Sequence, residues 1–214
     1  NIKNTKKFSK VKVKEVQSKP KVLLKFKKTD QAHFVLAVRT FDMFHKSNPT
    51  LEVLAGVLGS GMSSRLFQRV REELGVGYYV RAYSDSATDH GFLQISAGVD
   101  EKRIKEVLEA VLEECRKLKT YEVSAEELNK TKEYLIGNMK LSLESSDDIA
   151  LFYGGQELLK KKIISPEERA LQIRKVKASD IQKLANEIFK DEKLNLAFIG
   201  PYKSDKDFEK VRKF

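Results

Sequence analysis

The sequence predicts an α+β fold, with an antiparallel or mixed sheet and helices packed mainly on one face. Three observations carry this. Strand-like runs occupy much of the first hundred residues, amphipathic helices fill the second half, and one short apolar strand closes the chain. For that order, an antiparallel sheet covered on one face is the economical arrangement. No repeat of fixed period is present, and no doubly wound nucleotide site is expected.

Residues 1–20 are rich in lysine and end at Pro20, as in a linker or entry strand, with Val11 and Val13 alternating with lysines as in a short edge strand. Two strand runs follow, Val22–Phe26 and His33–Val38, separated by Lys28-Thr29-Asp30-Gln31. Asn48-Pro49-Thr50 opens a helix, because proline in the first turn forfeits an N–H that has no intrahelical partner. This helix runs through Leu51, Leu54 and Leu58 to Gly59-Ser60-Gly61. A second helix is predicted from Ser63 to Leu74, with Leu66, Phe67, Val70 and Leu74 on its apolar face and Gly75 as its stop. Tyr78–Ser84 and Leu93–Val99 form a strand pair across the Asp89-His90-Gly91 turn.

Asp100 caps the next helix, where Ile104, Val107, Leu108, Val111, Leu112, Cys115 and Leu118 keep helical spacing and are expected to be buried. Capping boxes are read at Ser124/Glu127, Ser165/Glu168 and Ser179/Gln182, with a further helix over residues 147–162. Leu194–Ile199 is the last strand, closed by Gly200-Pro201. The expected organisation is a linker over 1–20, one domain over 21–202, and a basic tail over 203–214. The chain begins Asn1-Ile2-Lys3, which predicts a segment of a longer protein or a processed product.

The formal net charge is +10, but the lysines are spread along the whole chain and no basic cluster with interleaved aromatics occurs. A nucleic-acid partner is therefore not expected. Nor is a membrane one, since no run approaches the roughly 18–20 apolar residues that span a bilayer and no signal-peptide core is present. The single cysteine, Cys115, falls on a helix's apolar stripe and reads as a buried inert thiol, which fits a reducing, cytoplasmic compartment.

The three histidines, His33, His45 and His90, stand in a strand, a loop and a turn, and none belongs to H-E-x-x-H or H-x-x-E-H. The chain is therefore expected to hold no metal itself. No G-x-S-x-G occurs, and Gly59-Ser60-Gly61 lacks the lysine of a phosphate loop. Arg71 lies at the border of a helix's apolar face, and Tyr78 opens a strand after Gly75-Val76-Gly77. A glycine turn joining the two can aim both side chains into one cleft.

Leu58-Gly59-Ser60-Gly61-Met62-Ser63-Ser64-Arg65-Leu66-Phe67-Gln68, followed by Val70-Arg71-Glu72-Glu73-Leu74-Gly75-Val76-Gly77-Tyr78, resembles the signature of the second domain in the insulinase, pitrilysin and mitochondrial processing peptidase family. There a glycine turn precedes S-S-R-L-F, and R-E-x-x-G-L-A-Y follows. Gln31-Ala32-His33, Val176–Ile181 and Phe198-Ile199-Gly200-Pro201 extend the similarity over residues 20–202. This resemblance implies a two-domain, inverted-zincin metalloendopeptidase. The first domain binds zinc through H-x-x-E-H and a distal glutamate; the second lacks metal and closes over the peptide substrate.

An arginine and a tyrosine of the family's second domain reach the active site, and they correspond to Arg71 and Tyr78 here. The resemblance assigns Arg71 to hold a substrate carbonyl and Tyr78 to hydrogen-bond the tetrahedral intermediate. Two departures occur: Gly77 stands for the usual alanine, a change expected to loosen the turn, and Val76 for leucine. Three functions fit: half of a peptidase whose zinc half lies elsewhere in the parent protein, a separate substrate-recognition subunit, or a scaffold protein of the same family.

Overall fold

A computed structural model describes residues 10, 11, 13, 14, 16–160, 162–204, 208, 213 and 214. Five strands form one mixed sheet: β1 (Lys21–Phe26), β2 (Gln31–Thr40), β3 (Gly77–Ser86), β4 (Gly91–Asp100) and β5 (Leu194–Gly200). Their spatial order is β1-β5-β2-β4-β3. Only β1 and β5 run parallel; the other neighbours are antiparallel. The last strand is thus inserted between the first two, and β3 is left as a free edge. The predicted strand at Val11 and Val13 straddles Lys12, which lies outside the described residues.

The described residues include six α-helices, α1 (Asn48–Gly59), α2 (Ile104–Thr120), α3 (Ala125–Leu141), α4 (Ser146–Leu159), α5 (Pro166–Arg174) and α6 (Ala178–Ile188), of which α1, α2 and α6 pack on the sheet. Alternation in the strands sends Ala32, Phe34, Leu36 and Val38 of β2, and Leu93, Ile95, Ala97 and Val99 of β4, into the core beneath them. Helix α1 packs on β3 and also against α3, α5 and α6. Being enclosed on several sides, it buries seven of the eight positions from Leu51 to Leu58, all but Glu52, rather than the narrow Leu51/Leu54/Leu58 stripe. In α2 the predicted Val107, Leu108, Val111 and Leu112 are all fully buried. Cys115 is buried as well, and desolvation pushes its thiol far above the ordinary range.

The caps follow the expected chemistry with two differences. Ser165 and Glu168 form the complete capping box. Ser124 accepts from Glu127 N, but the Glu127 carboxylate turns instead to Arg65, so the reciprocal bond of the predicted box is absent. The third predicted box is not formed. Helix α6 starts before Ser179, the Asp180 carboxylate accepts from Lys177 N, and Gln182 donates to Thr120 O in another element. At the far end of the chain, beyond the expected domain boundary, Phe208 is buried and stacks on Phe198 at 4.3 Å.

Candidate active site

The predicted second helix is helical only at Arg65 and Leu66 before it widens into a π-helical segment, Phe67–Glu73. Leu74 N donates to Arg69 O and Val76 N to Val70 O, longer reaches than an α-helix makes. Two packing constraints hold this segment in place. The Arg65 guanidinium forms a two-pronged ion pair with Glu127 at the start of α3, at 2.7 and 2.9 Å. Arg65 of the Ser63-Ser64-Arg65-Leu66-Phe67 stretch is thus structural. The second constraint is Gly59: a Cβ there would stand 2.2 Å from Ala82 N, so the end of α1 lies directly on the backbone of β3.

Gly75, with φ +64, turns the chain into β3. Gly77 does not loosen this turn. The space its Cβ would occupy is already bounded by Val70 Cγ1 at 2.9 Å, so the absence of a side chain lets β3 begin close against the π-helical segment. Pairing with β4 is then interrupted. Gly77 pairs with Val99 and Tyr79 with Gly98, leaving Tyr78 as the extra residue of a β-bulge. The cause lies next door. The Tyr79 ring lies over Gly98 toward His33, stacked at 5.9 Å, with its hydroxyl 3.3 Å from His33 Nδ1. With Tyr79 held there and Val80 buried, the bulge releases Tyr78 from the alternation. Its side chain is 56% exposed, and its hydroxyl has no hydrogen-bond partner among the described residues.

Arg71 stands beside it. Its Nη1 donates to Tyr78 O at 3.2 Å, and its guanidinium lies 5.3 Å from the centre of the Phe67 ring. Arg71 and Tyr78 both line a groove of about 620 Å³ along the free edge of β3. Its opposite wall is the Gly59–Met62 turn together with Tyr134 and Asn138 of α3. The structure therefore brings together the two residues singled out by sequence. It also adds Tyr134, Asn138 and Arg81, which no sequence motif marks.

Each of the three histidines is engaged with a neighbouring side chain. His33 meets Tyr79, His45 stacks on Phe41 at 3.9 Å, and His90 bonds Asp89 at 2.8 Å. Among the described residues no three His, Cys, Asp or Glu side chains gather as a metal-binding group. No helix among them is long and apolar enough to cross a membrane.

The family model described as "Peptidase M16 inactive domain" matches residues 1–135. The chain belongs to the peptidase M16 family, as its inactive domain. An uncharacterized zinc protease of Bacillus subtilis, YmxG, is 35% identical over 179 residues, which are 84% of this chain and 44% of that protein. An uncharacterized zinc protease of Streptomyces coelicolor is 29% identical over 88% of this chain and 41% of its own length. This M16 domain thus spans less than half the length of these relatives.

The fold agrees. The crystal structure of a peptidase M16 inactive domain from Pseudomonas fluorescens superposes with a TM-score of 0.80 at 19% identity, covering 91% of this chain and 47% of that one. That of a protease from Helicobacter pylori gives 0.78 at 23% identity, covering 86% and 45%. The expected α+β class with a mixed sheet is thereby established for this M16 domain.

Proposed function

We propose that this M16 domain is the substrate-clamping half of a zinc metalloendopeptidase of the inverted-zincin kind. The observation that carries this reading is the bulge. It presents a tyrosine hydroxyl without a partner among the described residues beside an arginine, in an open groove at a sheet edge. A peptide closed against this edge would meet both groups. Arg71, braced by the Phe67 ring and by Tyr78 O, has further N–H donors for a peptide carbonyl. Tyr78 can donate its O–H to the oxyanion that forms when the scissile carbonyl is attacked.

Zinc is assigned to a separate half, since among the described residues no group of His, Cys, Asp and Glu side chains gathers to hold it. The relatives named as zinc proteases are more than twice as long as the matched segment, which leaves room for such a half. Helix α4 supports the same division. Among its residues only Gln156 is buried, while Leu151 and Leu158 are 74% and 85% exposed, an apolar surface that suits burial against further polypeptide. Residues 21–202 are assigned the clamping role and residues 1–20 the link from the zinc half. The buried, unreactive Cys115 supports a reducing compartment such as the cytoplasm.

The division of labour is tested with metal. The complete protein is expected to cleave an internally quenched peptide, to lose that activity on chelation, and to regain it with zinc. This chain alone, purified without added metal, is expected to retain no stoichiometric zinc and to cut nothing. One equivalent of zinc held by the isolated chain would overturn the assignment.

A further inference from the structure

The arginines of this domain follow a pattern with one exception in space. Arg65, Arg69, Arg103, Arg116, Arg169 and Arg174 each hold a glutamate as an ion-pair partner. Arg39 has a contact of its own. Among the described residues, Arg71 and Arg81 have no ion-pair partner, and both line the same groove. That groove contains no aspartate or glutamate at all. Its other side-chain polar groups are the hydroxyls of Ser60, Tyr78, Tyr79, Tyr83 and Tyr134 and the amide of Asn138; the Tyr79 hydroxyl meets His33 Nδ1 and Asn138 Nδ2 donates to Tyr134 O.

Nearby acids are engaged elsewhere. Asp100, in the adjoining hollow, accepts from Lys102 N at 2.8 Å, and Asp85, farther along β3, accepts from Ser86 N at 2.7 Å. Elsewhere in a glutamate-rich chain, guanidinium groups are neutralised by neighbours. Here two are left without an ion-pair partner on a concave surface with tyrosine hydroxyls beside them, an arrangement that suits a carboxylate brought by a ligand.

We propose that Arg81 is a specificity-determining residue that binds an acidic side chain of the peptide substrate. The proposal rests on the clamping role assigned above and names its substrate class. Arg81 is exposed on β3, three residues beyond Tyr78. At about 3.3 Å per residue the two lie about 10 Å apart along the strand. An extended peptide rises at the same rate, so the acidic residue falls about three residues from the bond whose carbonyl Tyr78 and Arg71 address. Arg71 sits near the reacting group and Arg81 at a distance from it. The first contact serves any peptide, and the second distinguishes peptides.

The test uses the complete, two-half protein and two fluorescein-labelled ten-residue peptides. They share a neutral frame and carry a single Glu or Gln three residues from the cleavage position. Affinity is read by fluorescence anisotropy on metal-stripped protein at low ionic strength, and cleavage is read separately on zinc-loaded protein. Wild type is expected to bind the Glu peptide about two- to fivefold more tightly than the Gln peptide, as for an exposed charge-assisted pair, with the difference shrinking as salt is added. Arg81→Gln should remove the difference, and Arg81→Glu should transfer the preference to a Lys-bearing peptide. Lys183→Gln, which deletes one positive charge from the exposed side of α6, should leave it intact.

Equal binding of the two peptides by wild type, or a preference that survives Arg81→Gln, overturns the inference. The two readings fail separately. Selective binding without cleavage would sink the peptidase role and leave the carboxylate site standing. Cleavage with indifferent binding would do the reverse.

Discussion

Replacing Tyr78 by Phe in the complete protein is expected to lower turnover by about 100-fold or more, the usual loss for one oxyanion donor. The ring and its packing remain; only the O–H goes. Because that hydroxyl has no partner among the described residues, its removal breaks no bond within the domain, and the variant should fold and melt like wild type. The loss should fall on kcat, since the oxyanion exists only in the transition state. Arg71→Ala, measured beside it, should raise KM as well, because a carbonyl contact is already made in the bound ground state. Both are measured against a peptide that wild type cleaves, with folding checked by circular dichroism. If folded Tyr78→Phe keeps turnover within about threefold of wild type, far short of a donor's contribution, the oxyanion role is wrong.

Phe198→Ala is expected to have the largest effect on stability. Phe198 is 1% exposed, pairs with Phe34 across the β2–β5 boundary, and stacks on Phe208. Truncating a buried phenylalanine costs about 3–5 kcal/mol, from lost transfer free energy and from the cavity left behind. For a domain of this size that corresponds to a fall in Tm of about 10 °C. Topology explains why the damage would spread. Strand β1 has β5 as its sole neighbour in the sheet, so loosening β5 releases both. Calorimetry of the variant checks this; a Tm within about 2 °C of wild type would mean the site collapses without a cavity, against the usual cost.

The helical layer is legible in the sequence. The stripe of α2 and the capping box at Ser165 are properties of residues three and four apart, and such neighbours are fixed by the helix itself. The third capping box failed because Ser179 and Gln182 satisfy the spacing while a better cap, Asp180 on Lys177 N, lies two residues earlier. Tyr78 and Arg71 were legible for a different reason: the glycine-punctuated stretch around them resembles that of a known family, whereas the pattern of residues alone marks neither.

Sequence by itself determined the number and kind of most elements, the burial of α2, and the pairing of Arg71 with Tyr78 as candidates. Tertiary structure alone decided the strand order, in which the last strand enters between the first two. It also decided how Tyr78 points. Read as an unbroken strand, Tyr78 shares the parity of Val80 and would face the core; the ring of Tyr79 over Gly98 forces the bulge that exposes it. Arg81 is the same kind of case. Whether an arginine meets a glutamate depends on residues far away in the chain, and only folding leaves this one open in a groove without carboxylates. Local periodicity is set by backbone geometry and can be read along the chain, whereas contacts between distant segments arise from packing and cannot.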